Sequence, residues 1–174
     1  QTGPPTDVAQ LGPFEQAPRP LVGYTCDYTF GYDTGWHSHP RVQLLHATNG
    51  VMRVATHSAL FVVPPGTGLW IPAHIEHVSR MSRGLIMRGL FLREDAARVG
   101  PDATTVVAIS PLLRALIVAA CEQPIMWDED GPVRHIVALA LHEIGHAATR
   151  PFSVPAPKDA RLMRVTDALF ADPA

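Results

Sequence analysis

Three histidines and a glutamine hold the groups in this chain best suited to bind something. In GWHSHPRVQ, His37 and His39 stand two residues apart, so on an extended strand their side chains share a face, and Gln43 follows on the same parity. Another imidazole, His77, arrives from a later stretch, IPAHIEH. Imidazole nitrogens and an amide oxygen on one wall form a donor set for a divalent ion with one coordination position left open, or a surface that hydrogen-bonds a polar ligand. Zn or Ni is the ion that suits such donors. Gln43 is a weaker donor than a carboxylate and leaves the charge of an ion uncompensated; its other role would be to orient a histidine tautomer from behind. The plainer reading of all four is a set of hydrogen-bonded polar residues inside a sheet.

Around these donors, Tyr28, Phe30, Trp36 and Trp70 are candidates for the apolar walls of a ligand pocket, with His74 at its mouth, although the commoner fate of such aromatics is core. A second metal-type motif lies far downstream, where His142-Glu143-Ile144-Gly145-His146 fits H-E-x-x-H. Histidines four apart on a helix can share a zinc ion while the glutamate activates water. No histidine follows in residues 147–152 and no glutamate follows Glu143, so a third ligand is missing. On the helical wheel His142 and His146 fall with His135 opposite the apolar stripe, which reads as a solvent- or partner-facing surface, with a zinc hydrolase as the remote alternative.

The elements that position the donors are short strands. LVGYTCDYTFGY is dense in β-formers, with Tyr24, Cys26, Tyr28 and Phe30 on one face. Further strands are expected at 41–48, 51–56, 59–63, 69–71, 76–81 and 85–92, separated by Asn49-Gly50, Pro64-Pro65-Gly66 and Gly84, which is the rhythm of an antiparallel barrel or sandwich. A short helix at 94–99 and one more strand at 104–109 follow. Ser110-Pro111 then supplies an N-cap and a first-turn proline for a helix over 112–123, with Leu113, Leu116, Ile117 and Ala120 on one side. Residues 133–148 form an amphipathic partner helix. The pair reads as a hairpin packed on the sheets or across a dimer, and those four residues are candidates for the dimer contact.

Residues 1–20 are rich in proline and glycine, an arm that is mobile unless Leu11 and Phe14 dock. At the other end PFSVPAP reads as an extended linker, followed by a short helix capped by Asp159. The domain plan is an arm at 1–20, a β domain at 21–109, a helical pair at 110–150, and a linker with a first further helix at 151–174. With 174 residues, 47% of them hydrophobic, the chain can bury a substantial core, and a formal net charge of -2 gives it no basic footprint for nucleic acid. Cys26 and Cys121 match no paired-ligand spacing and read as reduced thiols. Without a membrane-length apolar run or a signal-peptide pattern, the expectation is a soluble, cytoplasmic protein.

These residues also carry a family resemblance. The pattern G-x(5)-H-x-H-x(3)-E-x(6)-G, the first cupin motif, is met at Gly31, His37, His39 and Gly50, with Gln43 in place of the glutamate. The second, G-x(5)-P-x-G-x(2)-H-x(3)-N, is met at Gly66, Pro72 and His77, with His74 in place of the glycine and Met81 in place of the asparagine. With the helical pair, the proline-rich stretch and DARLMRVTDALFADPA behind it, the order of parts resembles AraC-type transcriptional regulators over residues 21–173. The resemblance implies a mainly β, cupin-type antiparallel barrel followed by a helical hairpin, in which a small-molecule effector or a metal is held inside the barrel. It also implies a homodimer, and DNA contact only through helix-turn-helix units lying beyond Ala174. The competing class is a metal-dependent cupin enzyme, an oxygenase or isomerase, using His37, His39 and His77.

Overall fold

In a computed structural model of the chain, residues 10–28, 30–156, 159, 161 and 165 are described. Two antiparallel sheets face one another. The larger joins β1 (Leu21–Tyr28), β8 (Leu85–Leu92), β3 (Val42–Ala47), β6 (Thr67–Ile71), β9 (Thr105–Ala108) and β10 (Thr149–Arg150) in that order. The smaller joins β11 (Ser153–Pro155), β5 (Ala59–Val63), β4 (Met52–Thr56), β7 (His77–Met81) and β2 (Tyr32–Asp33). The inner core between the sheets holds Tyr24, Leu45, Val54, Phe61, Ile71 and Phe91 among others.

The larger sheet is buried on both faces, which explains its nearly continuous apolar strands. Its inner face carries Leu45, Leu69 and Phe91, whereas the alternate residues Leu44, Trp70 and Leu90 face a second core formed with helices α3 (Pro111–Cys121) and α4 (Val133–Gly145). The smaller sheet alternates instead, with Val62 and Arg80 outward. Ser110 caps α3 as its spacing predicts, its hydroxyl accepting from Leu113 N at 3.0 Å and donating to Glu143 Oε2 at 2.6 Å. Helix α3 lies so close on β1 that a methyl group at Gly23 would sit 2.6 Å from the backbone of Ala120 and Cys121. The absence of a side chain there sets the distance between the helical layer and the sheet.

Several expectations need amendment. Leu113, Leu116, Ile117 and Ala120 are buried in the second core against the larger sheet, so within one chain this stripe packs on the sheet. Phe30 does not continue the face of Tyr24, Cys26 and Tyr28, because β1 ends at Tyr28 and Phe30 is 79% exposed in the turn before Gly31. The stretch read as a linker enters the fold: Ser153–Pro155 pairs with β5, where an edge position tolerates proline because only one side of the strand must hydrogen-bond. In the arm, α1 (Gly12–Glu15) is ordered against the inner core, with Leu11 buried and the Phe14 ring 5.8 Å from that of Tyr24. Most of the helix expected after Asp159 lies outside the described residues; Asp159 Oδ1 does accept from Arg161 N at 2.7 Å.

Gly23→Ala should lower unfolding free energy by roughly 1–3 kcal/mol, since the backbone atoms it meets cannot rotate away. Urea denaturation compares the variant with the wild type, and equal midpoints would show that the helical layer floats freely on the sheet.

Candidate metal centre

The two histidine-bearing stretches are joined by a pair of backbone hydrogen bonds. His37 N donates to His77 O at 3.0 Å and His77 N to His37 O at 2.9 Å, an isolated antiparallel bridge continuing the line of β2 against β7. Directly opposed residues put their side chains on the same face, so the two rings meet, with centroids 4.3 Å apart. His39 follows two residues later, 4.8 Å from the His37 ring, and its own carbonyl accepts from His74 N at 2.8 Å. One ring nitrogen from each of the three lies within 4.8 Å of the others.

The tautomers follow from the partners of each Nδ1. In His37 that atom is 2.9 Å from Gly35 O, in His77 it is 2.9 Å from Ile75 O, and in His39 it is 2.5 Å from Glu15 Oε1. Carbonyl and carboxylate oxygens only accept, so each Nδ1 carries the proton and each Nε2 presents a lone pair. Burial, aided by the neighbouring imidazoles, depresses His39 and His77 to about 3, which leaves both neutral near pH 7. Burial raises Glu15 above the ordinary carboxylate range. For His39 the carboxylate contact opposes the depression, so His77 is the cleaner of the two.

Inside, His39 Nε2 and Gln43 Oε1 are buried with no hydrogen-bond partner. Gln43 donates its Nε2 to the Tyr24 hydroxyl at 2.6 Å, which fixes the amide oxygen as the atom left over. The free space these groups line is about 20 Å³, room for roughly one water or one ion. Ring nitrogens of three histidines and an orphaned amide oxygen around so small a void fit a divalent cation: the His37, His39 and His77 triad could hold a metal ion.

Of the expected wall residues, Tyr28 lines this void. Trp36 stacks on His57 at 4.5 Å, half exposed, with His57 Nε2 2.9 Å from Glu76 Oε2. Phe30 sits in its exposed turn. Trp70 and His74 share a different, open cleft of about 320 Å³ behind the larger sheet, where the Trp70 indole donates to Pro101 O at 2.8 Å. Sequence spacing missed Glu15, which the arm brings to the site together with Leu11, one of its two expected docking residues. Its signal was a glycine-proline start followed by Phe-Glu, a helical turn too short to show periodicity.

The H-E-x-x-H stretch makes no comparable centre. Glu143 is held by the Ser110 hydroxyl, His146 Nδ1 contacts His142 O at 2.8 Å, and among the described residues no third metal-type side chain joins the two rings.

Two predictions come from this geometry. In the chelator-treated protein, the unfolded chain takes up protons on His77 near pH 6.5, but the folded chain only near 3. Stability is therefore full above pH 6.5 and falls as pH drops toward 3, by up to roughly 1.4 kcal/mol per pH unit for the group. Urea curves at pH 7.5 and 5.5 should separate less for His77→Gln than for wild type; an unchanged gap would place the loss elsewhere. Separately, His74 holds a left-handed φ of 63° where the second cupin motif has glycine. Relief of roughly 1–2 kcal/mol of backbone strain set against roughly 0.5–1 kcal/mol of added unfolded-state freedom makes His74→Gly neutral to slightly stabilising. A clearly lower melting temperature would mean that the imidazole itself contributes to the fold.

The chain matches the AraC-like ligand binding domain over residues 24–165. It is 23% identical over 137 residues to the HTH-type transcriptional regulator NimR of Escherichia coli (strain K12), a match covering 79% of this chain and 50% of that protein, so the chain spans about half the length of its curated relative. Among solved structures, the AraC-like transcriptional activator CuxR aligns at a TM-score of 0.56 and 15% identity, covering 86% of this chain and 59% of that one. An RmlC-like cupin from Shewanella frigidimarina aligns over 44% of the chain and 70% of its own at 0.39 and 23% identity. With more than half its length matched, this chain belongs to the AraC-like ligand-binding domain family.

Proposed function

We propose that the chain is the sensing and dimerising half of an AraC-type regulator and that the signal it holds is a divalent ion, Zn or Ni, bound by His37, His39 and His77 with Gln43 Oε1 as a further donor. The observation that carries this reading is the convergence of aligned imidazole lone pairs on a void of about 20 Å³. Imidazole ligands suit borderline ions of this kind. The same void argues against an organic effector in the present arrangement; a small molecule would enter only if Leu11, which lines the space, withdrew with the arm. It also argues against an oxygenase or isomerase, which needs room for substrate beside its metal.

DNA contact belongs to sequence beyond this chain, in keeping with a net charge of -2 and with coverage of half the regulator it matches. A dimer, if built on the helical layer, uses exposed residues such as Leu112 and Leu139, since the stripe of α3 is taken up by the monomer. The regulator works by population shift: the ion favours one arrangement of the domain, and the attached DNA-binding halves follow. Such a protein acts in the cytoplasm.

Metal content after dialysis against Zn²⁺ or Ni²⁺ tests the reading. Wild type should retain about one ion per chain, His37→Ala and His77→Ala should lose affinity by at least roughly tenfold, and His142→Ala should behave as wild type. Retention by His77→Ala with loss in His142→Ala would move the site to α4. A reading frame that continues past Ala174 without a helix-turn-helix would end the regulator assignment.

A further inference from the structure

Gln43 carries an orientation problem that a carboxylate in its place would not have. A carboxylate offers oxygen at both ends, so either turn of the side chain presents an acceptor. An amide offers oxygen at one end and an NH₂ group at the other, and only the oxygen can face a cation. With the oxygen turned inward, the NH₂ group points into the protein and needs an acceptor there. Left without one it would be a buried, unpaired donor, which disfavours that turn.

The Tyr24 hydroxyl supplies the acceptor. Gln43 Nε2 donates to it at 2.6 Å, and Gln43 Oε1 is the end left unpartnered, on a side chain that lines the void. Tyr24 comes from β1 and Gln43 from β3, with β8 lying between them. The phenol reaches across because its cross-strand partner on β8 is Gly89, where even a methyl group would overlap the ring. The ring is also held in place. Tyr24 is buried, and it stacks on Phe91 with centroids 5.0 Å apart and planes 20° apart. The hydroxyl therefore stands at a fixed point behind the amide, and a group without freedom to move can impose an orientation on one that has it.

We propose that Tyr24 is a positioning residue of the metal site: seated over Gly89, it accepts the Gln43 NH₂ group and so keeps the amide oxygen turned toward the ion. This rests on the metal reading given above. Where a carboxylate would serve in either turn, Gln43 serves in one, and a residue two strands away selects it. Removing the hydroxyl leaves the imidazoles in place and takes away the partner that makes the oxygen-inward turn free of an unpaired donor.

The test uses the full chain, Zn²⁺ and a competing chromophoric chelator at fixed pH, with circular dichroism confirming that each variant folds. Tyr24→Phe keeps the ring on Phe91 and removes the hydroxyl alone, and should bind Zn²⁺ roughly tenfold more weakly than wild type. The same substitution should add nothing to Gln43→Ala, which has no amide to turn, and should change Gln43→Glu by less than roughly threefold, because a carboxylate needs no turning. A residue that merely supported the fold would weaken all three backgrounds alike. Co²⁺ gives a second readout, since the d–d bands of the loaded protein report donor number and geometry: Tyr24→Phe should move them from the wild-type pattern toward that of Gln43→Ala. Equal Zn²⁺ affinity in wild type and Tyr24→Phe, or equal losses in the three backgrounds, overturns the positioning role and leaves the triad standing, as does a Gln43→Ala protein that binds as tightly as wild type. Wild type that fails to bind Zn²⁺, or binds it no more tightly than His77→Ala, overturns the metal reading and this proposal together.

Discussion

The backbone bridge between His37 and His77 is the constraint from which the site follows. Two hydrogen bonds fix the segments in register, and the alternation of side chains along extended backbone then leaves the rings no face but the inner one. A slip of the first segment by one residue would turn His37 and His39 outward and bring Trp36 or Ser38 toward the interior. The register is held on either side: Thr34 N donates to Ser79 O at 3.1 Å while Ser79 N donates to Thr34 Oγ1 at 2.9 Å, and His74 N ties back to His39 O. The strained φ of His74 belongs to this arrangement, since its turn returns the chain to the bridge.

The larger sheet performs a different task. Buried on both faces, it separates the polar void from the helical layer, so the chemistry on one side and any contact with a partner on the other are insulated by a packed wall. Gly23 shows how tightly that wall is closed against α3. The arm contacts both the void side and the helical layer by passing around the edge of this wall. Arg19 donates to Trp127 O at 2.7 Å, lies 5.6 Å from the centre of that indole and pairs with Glu129 at 3.5 Å, on the loop between α3 and α4.

The strands and helices were legible because their periods are clean: alternation in β4 and β5, paired-face burial in β3 and β6, an N-cap and proline at α3. The donor set was legible for the same reason, since two residues apart on a strand means one face. What spacing could not supply was the identity of the covering surface. The stripe Leu113, Leu116, Ile117 and Ala120 announces that something lies on it, and the wall of the monomer and a second subunit are equally apolar. Trp70 shows the complementary difficulty. In a sheet buried on both sides, parity separates it from Leu69 and Ile71 but composition does not say which side holds the histidines. Ser153–Pro155 was hidden by its prolines, which read as linker although an edge strand admits them.

Glu15 was hidden for a further reason. A carboxylate at position 43 would have placed a negative charge on the strand that follows His37 and His39. Gln43 removes that charge, and its amide is turned so that Nε2 meets Tyr24 and only a neutral oxygen faces the void. The negative charge then has to come from a segment that is joined to the sheets by a handful of carbonyl bonds to Arg41 and two apolar side chains. The carboxylate nearest the triad therefore sits outside the two stretches that carry the imidazoles, on a segment with anchoring contacts of its own.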